Sequence, residues 1–533
     1  MFEATELILP YGLHQFDICN ENPILWHYLK SSFLFLYSFA NIVVINFIFS
    51  KLSINSFLEP TKKTSFFPSK LSLLVGYDPI LKEKIYIPEQ GLYQNILVTG
   101  TIGTGKTSSA MYPFTKQLLT YNSQNSDKIG LLILDVKGNY FKQVEKFAHD
   151  LSLGNDIIEI SLTSNIKYNP LHKPHLNPLV LANRLKTILL LFSENNSESF
   201  WLDKAEQILS EAIKLCRLYN NNYVTFYELH KLIMEEQYYK SKIEFLKNRF
   251  LNSKLSHKQI YDLNTSLNFF EKEFLALDSR TLSILRSEIS RITNIFVSDL
   301  SVFKTFCPSK NELNFKGFSD VLSNGKIVVL NMNIAEYRNL SKIIATYLKL
   351  DFQSEIMYNL SKNVQHKSAF ICDEYSEYAS KTDADFFSLS REAKCINIIS
   401  TQSYTSLKNV LKDENSVKVI IQNLINKIWF RTDDLFTIEE AQKQLGKEEK
   451  HYMSTTISEN ARSTNFNYLT NSFLSKDSNI TESLNSYIQK DFIYDTNFFT
   501  QFLETFSCLS FLSDGYKIQP PTKLKMFPYF KKN

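Results

Sequence analysis

NILVTGTIGTGKTSSAM, from Asn95 to Met111, is the stretch that decides the fold of this 533-residue chain. Only 13 glycines occur in the whole sequence, yet Gly100, Gly103 and Gly105 crowd into it and complete the pattern GxxxxGK(S/T) from Gly100 to Thr107. A loop of this kind turns backbone amides into a concavity that cradles phosphate oxygens. Glycine permits the backbone angles, and the following helix presents its N-terminus. Lys106 is spaced to reach the β- and γ-phosphates and Thr107 to ligate Mg2+, while Gly100, Thr101, Gly103, Thr104, Gly105 and Ser108 complete the cradle. The surroundings agree: Ile96 to Thr99 reads as an apolar strand and Ser108 to Leu119 as a helix. The competing reading is an ordinary glycine turn. The pattern predicts ATP with Mg2+ as the bound species.

A phosphate loop of this type needs a second acid, held at the end of a buried strand, to order the metal. Two segments compete. LLILDVKG ends on Asp135, whereas SAFICDEYSEYA offers Asp373 and Glu374 in succession. The second is preferred, because Asp373 can order the metal while Glu374 polarises the attacking water as general base. An acidic helix start after a strand is the plainer alternative. Asp135 would then lie on the neighbouring strand, near the nucleotide or a subunit contact, or in a plain loop. Further on, CINIISTQS reads as a buried strand ending in Thr401 and Gln402, and a polar side chain there can sense a γ-phosphate. Arg391, in SLSREAKC, is the candidate cation for the transferring phosphate, delivered by a neighbouring subunit. Its alternative is an exposed arginine paired with Glu392 or Asp385. Arg431, in KIWFRTDD, is a second candidate.

The rest of the composition excludes more than it assigns. A hydrophobic fraction of 44% with 21% charged residues describes a globular, multidomain chain, and a net charge of +4 is too small to argue for a polyanion partner. The abundance of Phe, Tyr, Asn and Lys is spread along the chain and reads as a general bias rather than a nucleic-acid platform. Cysteines 19, 216, 307, 372, 395 and 508 form no CxxC pair and no metal spacing, so they read as reduced and cytosolic. His172 and His175 lie in a Pro-rich loop without a nearby acid or thiol and read as ordinary loop residues.

Between Lys30 and Lys51 run twenty uncharged residues, SSFLFLYSFANIVVINFIFS, the length of a membrane-spanning helix. Asn41 and Asn46 weaken it, leaving a buried soluble helix as the alternative. Glu3, Glu6, Asp17 and Glu21 precede the run, while Lys51, Lys62, Lys63 and Lys70 follow it, which places the C-terminal side in the cytoplasm. The expected organisation is a short extracytoplasmic leader at 1–30, a transmembrane helix at 31–50 and a linker or small β region at 51–90. An α/β domain then covers 91–197 and 311–533, with an all-helical insertion at 198–310 in which Trp201, Ile208 and Leu215 are core residues. VIIQNLINKIWFRT is expected to close the sheet, 450–489 to be a mobile surface loop, and Thr505 to Leu512 to form a last strand.

These residues resemble the type IV secretion system coupling proteins, the TraG/TraD-like ATPases of the wider FtsK/HerA group. The matching pieces are TGTIGTGKTS, LDVKGNY, the YNPL segment at 168–171, FWLDKAE, CDEYSEY and STQS with its upstream Arg391, in family order over roughly residues 92–440. The resemblance implies a RecA-like P-loop domain with an inserted all-α domain, assembled as a homo-hexamer; with the span read at 31–50 it would sit at the inner membrane. It also implies ATP-driven transfer of DNA, single-stranded and relaxase-linked, from a relaxosome to the channel. A double-stranded DNA pump and an ATP-dependent receptor for protein cargo are the alternatives. The family commonly carries two N-terminal spans and a C-terminal cargo extension, and neither is evident here.

Overall fold

The computed structural model describes residues 71–192, 199–251, 256–459, 465–467, 472–474 and 480–531, together with Tyr28 and Ser32. The chain divides into Met1–Phe67 and Pro68–Asn533, and every element below belongs to the second unit. The expected leader, the span at 31–50 and residues 51–70 lie outside the described residues, Tyr28 and Ser32 excepted. Among the described residues no helix is long and apolar enough to cross a membrane.

The strands are, in chain order, β1 Ser72–Asp78, β2 Glu83–Pro88, β3 Ile96–Thr99, β4 Gly130–Leu134, β5 Ile157–Ile160, β6 Ile327–Leu330, β7 Ser368–Cys372, β8 Cys395–Thr401, β9 Asn426–Trp429, β10 Lys447–Glu459, β11 Asn465–Asn467, β12 Ser472–Leu474, β13 Ile480–Phe492, β14 Ser507–Phe511 and β15 Thr522–Lys525. Eleven of them form one sheet in the order β2-β1-β15-β14-β9-β3-β8-β7-β4-β6-β5. From β9 to β5 every neighbouring pair is parallel. The other edge is antiparallel.

The central strands are apolar at nearly every position because both faces of the sheet are covered. Leu97, Leu132, Leu134, Val328, Leu330, Phe370 and Ile399 point into one core. Their alternating neighbours Ile96, Val98, Leu131, Ile133, Val329, Ile371 and Ile398 point into the other. The second core is covered by the helices Tyr112–Gln124 and Tyr140–Asp150. The first is continuous with the long helix Ile334–Ser361 and with the helices between Pro178 and Phe306. Side-chain caps set several of these helix starts: Thr225 accepts from the Glu228 amide, Asp278 from Arg280 and Thr281, and Ser256 closes a reciprocal box with Gln259. Ile208 and Leu215 are wholly buried, and Trp201 packs partly exposed against the same core.

Two expectations are corrected. The Ser, Thr and Asn-rich stretch at 450–489 is not one loop: β10 and β13 pair as a continuous antiparallel ribbon, from Lys447 opposite Phe492 to Glu459 opposite Ile480. Polar composition hid a strand pattern. Thr, Tyr and Ile suit a pleated surface, and cross-strand pairs such as Tyr452 against Tyr487 (ring centroids 5.8 Å apart) stabilise it. VIIQNLINKIWFRT does not close the sheet either. Its front half ends the helix Glu414–Asn423, and β9 lies inside the sheet, extended by β14, β15, β1 and β2. That extension joins segments from distant parts of the sequence, which periodicity cannot reveal.

Candidate functional site

The loop Gly100–Thr107 leaves the end of β3, at the carboxyl end of the parallel strands, where open α/β sheets bind ligands. β9 and its continuation hold it from one side: Phe430 N donates to Thr99 O (2.8 Å) and Thr101 N to Arg431 O (2.9 Å). Thr104 Oγ1 donates to Thr101 O at 2.8 Å and closes the loop on itself. Gly103 has φ +80° with open space where a Cβ would stand. Gly105 has φ +99°, and a Cβ there would come within 2.5 Å of the Phe506 ring. Both therefore need glycine, for backbone angle and, at Gly105, for space.

A phosphate chain fits this cradle. Among the described residues the amides of Gly103, Gly105, Lys106 and Thr107 have no intramolecular acceptor, and they head the helical segment that starts at Thr107. The Lys106 ammonium is folded back on the carbonyl oxygens of Gly100 and Thr101, within the loop that would receive the phosphates. Burial lowers its pKa, while Glu374 and Asp373 pull it back up.

Asp373 follows β7 and is almost wholly buried. Its Oδ2 accepts from Thr107 Oγ1 and its Oδ1 from Ser400 Oγ, each at 2.7 Å. The structure thus brings Asp373, not Asp135, to the Thr107 hydroxyl. Asp135, on the adjacent strand's end, accepts from the amides of Asn139 (3.0 Å) and Tyr140 (3.2 Å) and so caps the helix Tyr140–Asp150. Among the described residues no cluster of three His, Cys, Asp or Glu side chains could hold a metal. The hydroxyl and carboxylate pair suits Mg2+, which keeps several waters and takes further oxygens from phosphates.

Glu374 sits in the left-handed region (φ 55°), a strained conformation for a residue with a Cβ. Its carboxylate lies beside the Gln402 side chain and 3.9 Å from Lys137 Nζ. Burial first, then the Asp373 charge, raise its pKa; Lys106, Gln402 and Lys137 oppose them. The turn that follows is pinned from below. Lys349 Nζ, with no exposed surface, donates to Tyr378 O (2.6 Å), Ser380 Oγ (3.0 Å) and Asp383 Oδ2 (2.6 Å).

Lys106, Thr107, Asp373, Glu374 and Gln402 are therefore gathered at one place. Arg391 is not with them. It precedes β8 and touches Gly515 O at 3.3 Å, while its neighbour Ser390 bonds Asn95, at the start of β3. A seven-residue strand separates that end from the loop, about 20 Å. Arg431 stands beside the loop, its carbonyl taking both Thr101 N and Thr101 Oγ1. Sequence reasoning missed Ser400, Lys137, the Lys349–Asp383 pair and Phe506. Ser400 and Lys137 are inside the STQS and LDVKGNY motifs and were within reach of them; the Lys349–Asp383 pair and Phe506 carry no local signal.

Residues 367–490 match the family described as the TraM recognition site of TraD and TraG. No curated protein matches the chain in sequence. Among solved structures, the bacterial conjugative coupling protein TrwBdeltaN70 in its unbound monoclinic form is 14% identical with a TM-score of 0.55, over 83% of this chain and 87% of that one. Plasmid coupling protein TrwB in complex with ADP and Mg2+ is 13% identical with a TM-score of 0.55, over 87% and 95%. The same protein in complex with a non-hydrolysable GTP analogue gives 13% and 0.54. The fold is thus that of the TrwB coupling proteins, and the resemblance to the TraG/TraD-like family read from the motifs is borne out.

Proposed function

We propose that this chain is a membrane-anchored P-loop ATPase that couples ATP hydrolysis to the recruitment and translocation of relaxase-linked single-stranded DNA into a type IV secretion or conjugation channel. The observation that carries this reading is the convergence of Lys106, Thr107, Asp373, Glu374 and Gln402 on one P-loop, within a fold shared with the conjugative coupling protein TrwB. TrwB has been crystallised with ADP and Mg2+ and with an ATP analogue, which supports the same ligands here.

The loop amides and Lys106 bind the phosphates and orient the γ-phosphoryl group for in-line attack. Thr107 and Asp373 hold Mg2+, which, when bound, neutralises charge developing on the transferring phosphoryl group. Glu374 takes the proton of the attacking water; its raised pKa makes it a better base than an ordinary carboxylate. Gln402 holds that carboxylate in orientation and lies where the γ-phosphate ends. Arg391, out of reach of its own chain's loop, serves the neighbouring subunit of a homo-hexamer. The span at 31–50 ties the ring to the inner membrane with the ATPase domain in the cytoplasm, and the segment 367–490 supports docking of relaxosome components.

The test is ATP hydrolysis by the full chain, alone and with single- or double-stranded DNA, with Lys106→Ala as control. Lys106-dependent stimulation, stronger by single strands, is expected. Stronger stimulation by double strands would make it a duplex pump. Hydrolysis indifferent to any DNA would overturn the DNA motor in favour of a receptor for protein cargo.

A further inference from the structure

The described chain passes over the P-loop a second time, near its C-terminal end. Phe506 N donates to Thr104 O (3.1 Å), Phe506 O accepts from Met526 N (2.7 Å), and Tyr529 N donates to Ser108 O (2.9 Å). The Phe506 ring lies against Gly105, and its centroid is 6.0 Å from that of Phe530 in an edge-to-face pair. Phe506 is held at φ 61°. A bulky residue in the left-handed region is an outlier that folded structures keep where the position matters. Phe530 is 58% exposed although it belongs to this aromatic group. Tyr529 beneath it packs edge-on against Tyr112 at 5.1 Å, which fixes the segment to the P-loop helix.

The direction of the bound nucleotide follows from the site already described. Its γ end lies beside Thr107, Asp373 and Glu374, so the nucleoside emerges at the other end of the cradle, past Ser108, whose carbonyl accepts from Tyr529 N. Phe506 and Phe530 flank that exit.

We infer that Phe506 and Phe530 form a ledge on which the nucleobase of the bound nucleotide stacks. Every base has a π-face, so stacking of this kind tolerates different bases. Phe530 supplies the open ring face, and Phe506, locked between Thr104 O and Met526 N, sets its distance from the phosphates. The inference rests on the P-loop holding a nucleoside triphosphate.

Equilibrium binding of MgATP and of magnesium tripolyphosphate, which has phosphates and no base, tests it on the full chain. Phe530→Ala should weaken ATP about tenfold, the scale of one base–aromatic stack, and leave tripolyphosphate unchanged. Phe530→Trp should restore ATP, and GTP should follow ATP in every variant. Equal weakening of ATP and tripolyphosphate, or unchanged ATP binding in a folded Phe530→Ala protein, overturns the ledge. If the wild-type chain binds neither ligand, the nucleotide reading itself falls and the ledge with it.

Discussion

Replacing Lys349 by methionine keeps the length of a wholly buried side chain and removes its charge. Asp383 then keeps the Tyr375 hydroxyl at 2.5 Å, the Ser380 amide at 2.9 Å and the Gln353 amide at 3.0 Å, but loses its counter-charge. Tyr378 O and Ser380 Oγ lose their donor as well. Breaking one side of a buried ion pair costs about 3–5 kcal/mol. The surviving donors place Lys349→Met near the lower end, about 3 kcal/mol, which in a chain of this size lowers the unfolding temperature by about 3 °C. Asp383→Asn alone strands the ammonium and costs a similar amount. The double variant carries neither charge, so its loss should fall short of the sum by about 2 kcal/mol. Thermal unfolding of the four full-length proteins measures the cycle. Shifts that simply add would refute the claim that the pair acts as a unit beneath the Glu374 turn.

Three further outcomes follow from the site and the anchor. Burial and Asp373 raise the Glu374 carboxyl, so a base that must be ionised loses turnover as pH falls through a value above the ordinary 4.5. Lys137→Ala removes a cation 3.9 Å away and should move that acid limb of kcat to higher pH; an unmoved limb contradicts the assignment. Arg391→Ala should bind ATP normally yet hydrolyse it at least about 1000-fold more slowly, and mixing it with Lys106→Ala should recover activity, because the two defects fall in different subunits' contributions to one site. Activity within a few-fold of wild type, or no recovery in mixtures, removes Arg391 from the reaction. A chain starting at Lys51 should leave the membrane fraction on carbonate washing, whereas the full chain stays; equal partitioning would dispose of the anchor at 31–50.

What sequence reasoning could read was what is local. Runs such as ILVT, LLIL and SAFIC announce strands buried on both faces, and the glycine spacing at 100–107 announces the loop whose angles Gly103 and Gly105 adopt. The successive acids favoured Asp373 over Asp135, although both end adjacent strands; which of them meets the Thr107 hydroxyl is a property of three dimensions. The β10–β13 ribbon was hidden by its polar composition, although Met453, Thr455 and Ile457 alternate onto one face against Leu484 and Ile488. Phe506 could not be foreseen, since its partner Gly105 lies near the other end of the chain and one aromatic ring carries no pattern. Lys349 reads as a surface residue of a helix until the turn packed against it is seen.

The central claim is a P-loop ATPase with Glu374 as base, and the most direct measurement sets MgATP binding beside single-turnover hydrolysis for the wild-type chain and Glu374→Gln. The substitution keeps shape and the contact with Gln402 while removing the base. Binding within about twofold of wild type with hydrolysis slowed at least about 100-fold is the predicted result. Hydrolysis by Glu374→Gln within a few-fold of wild type would contradict it.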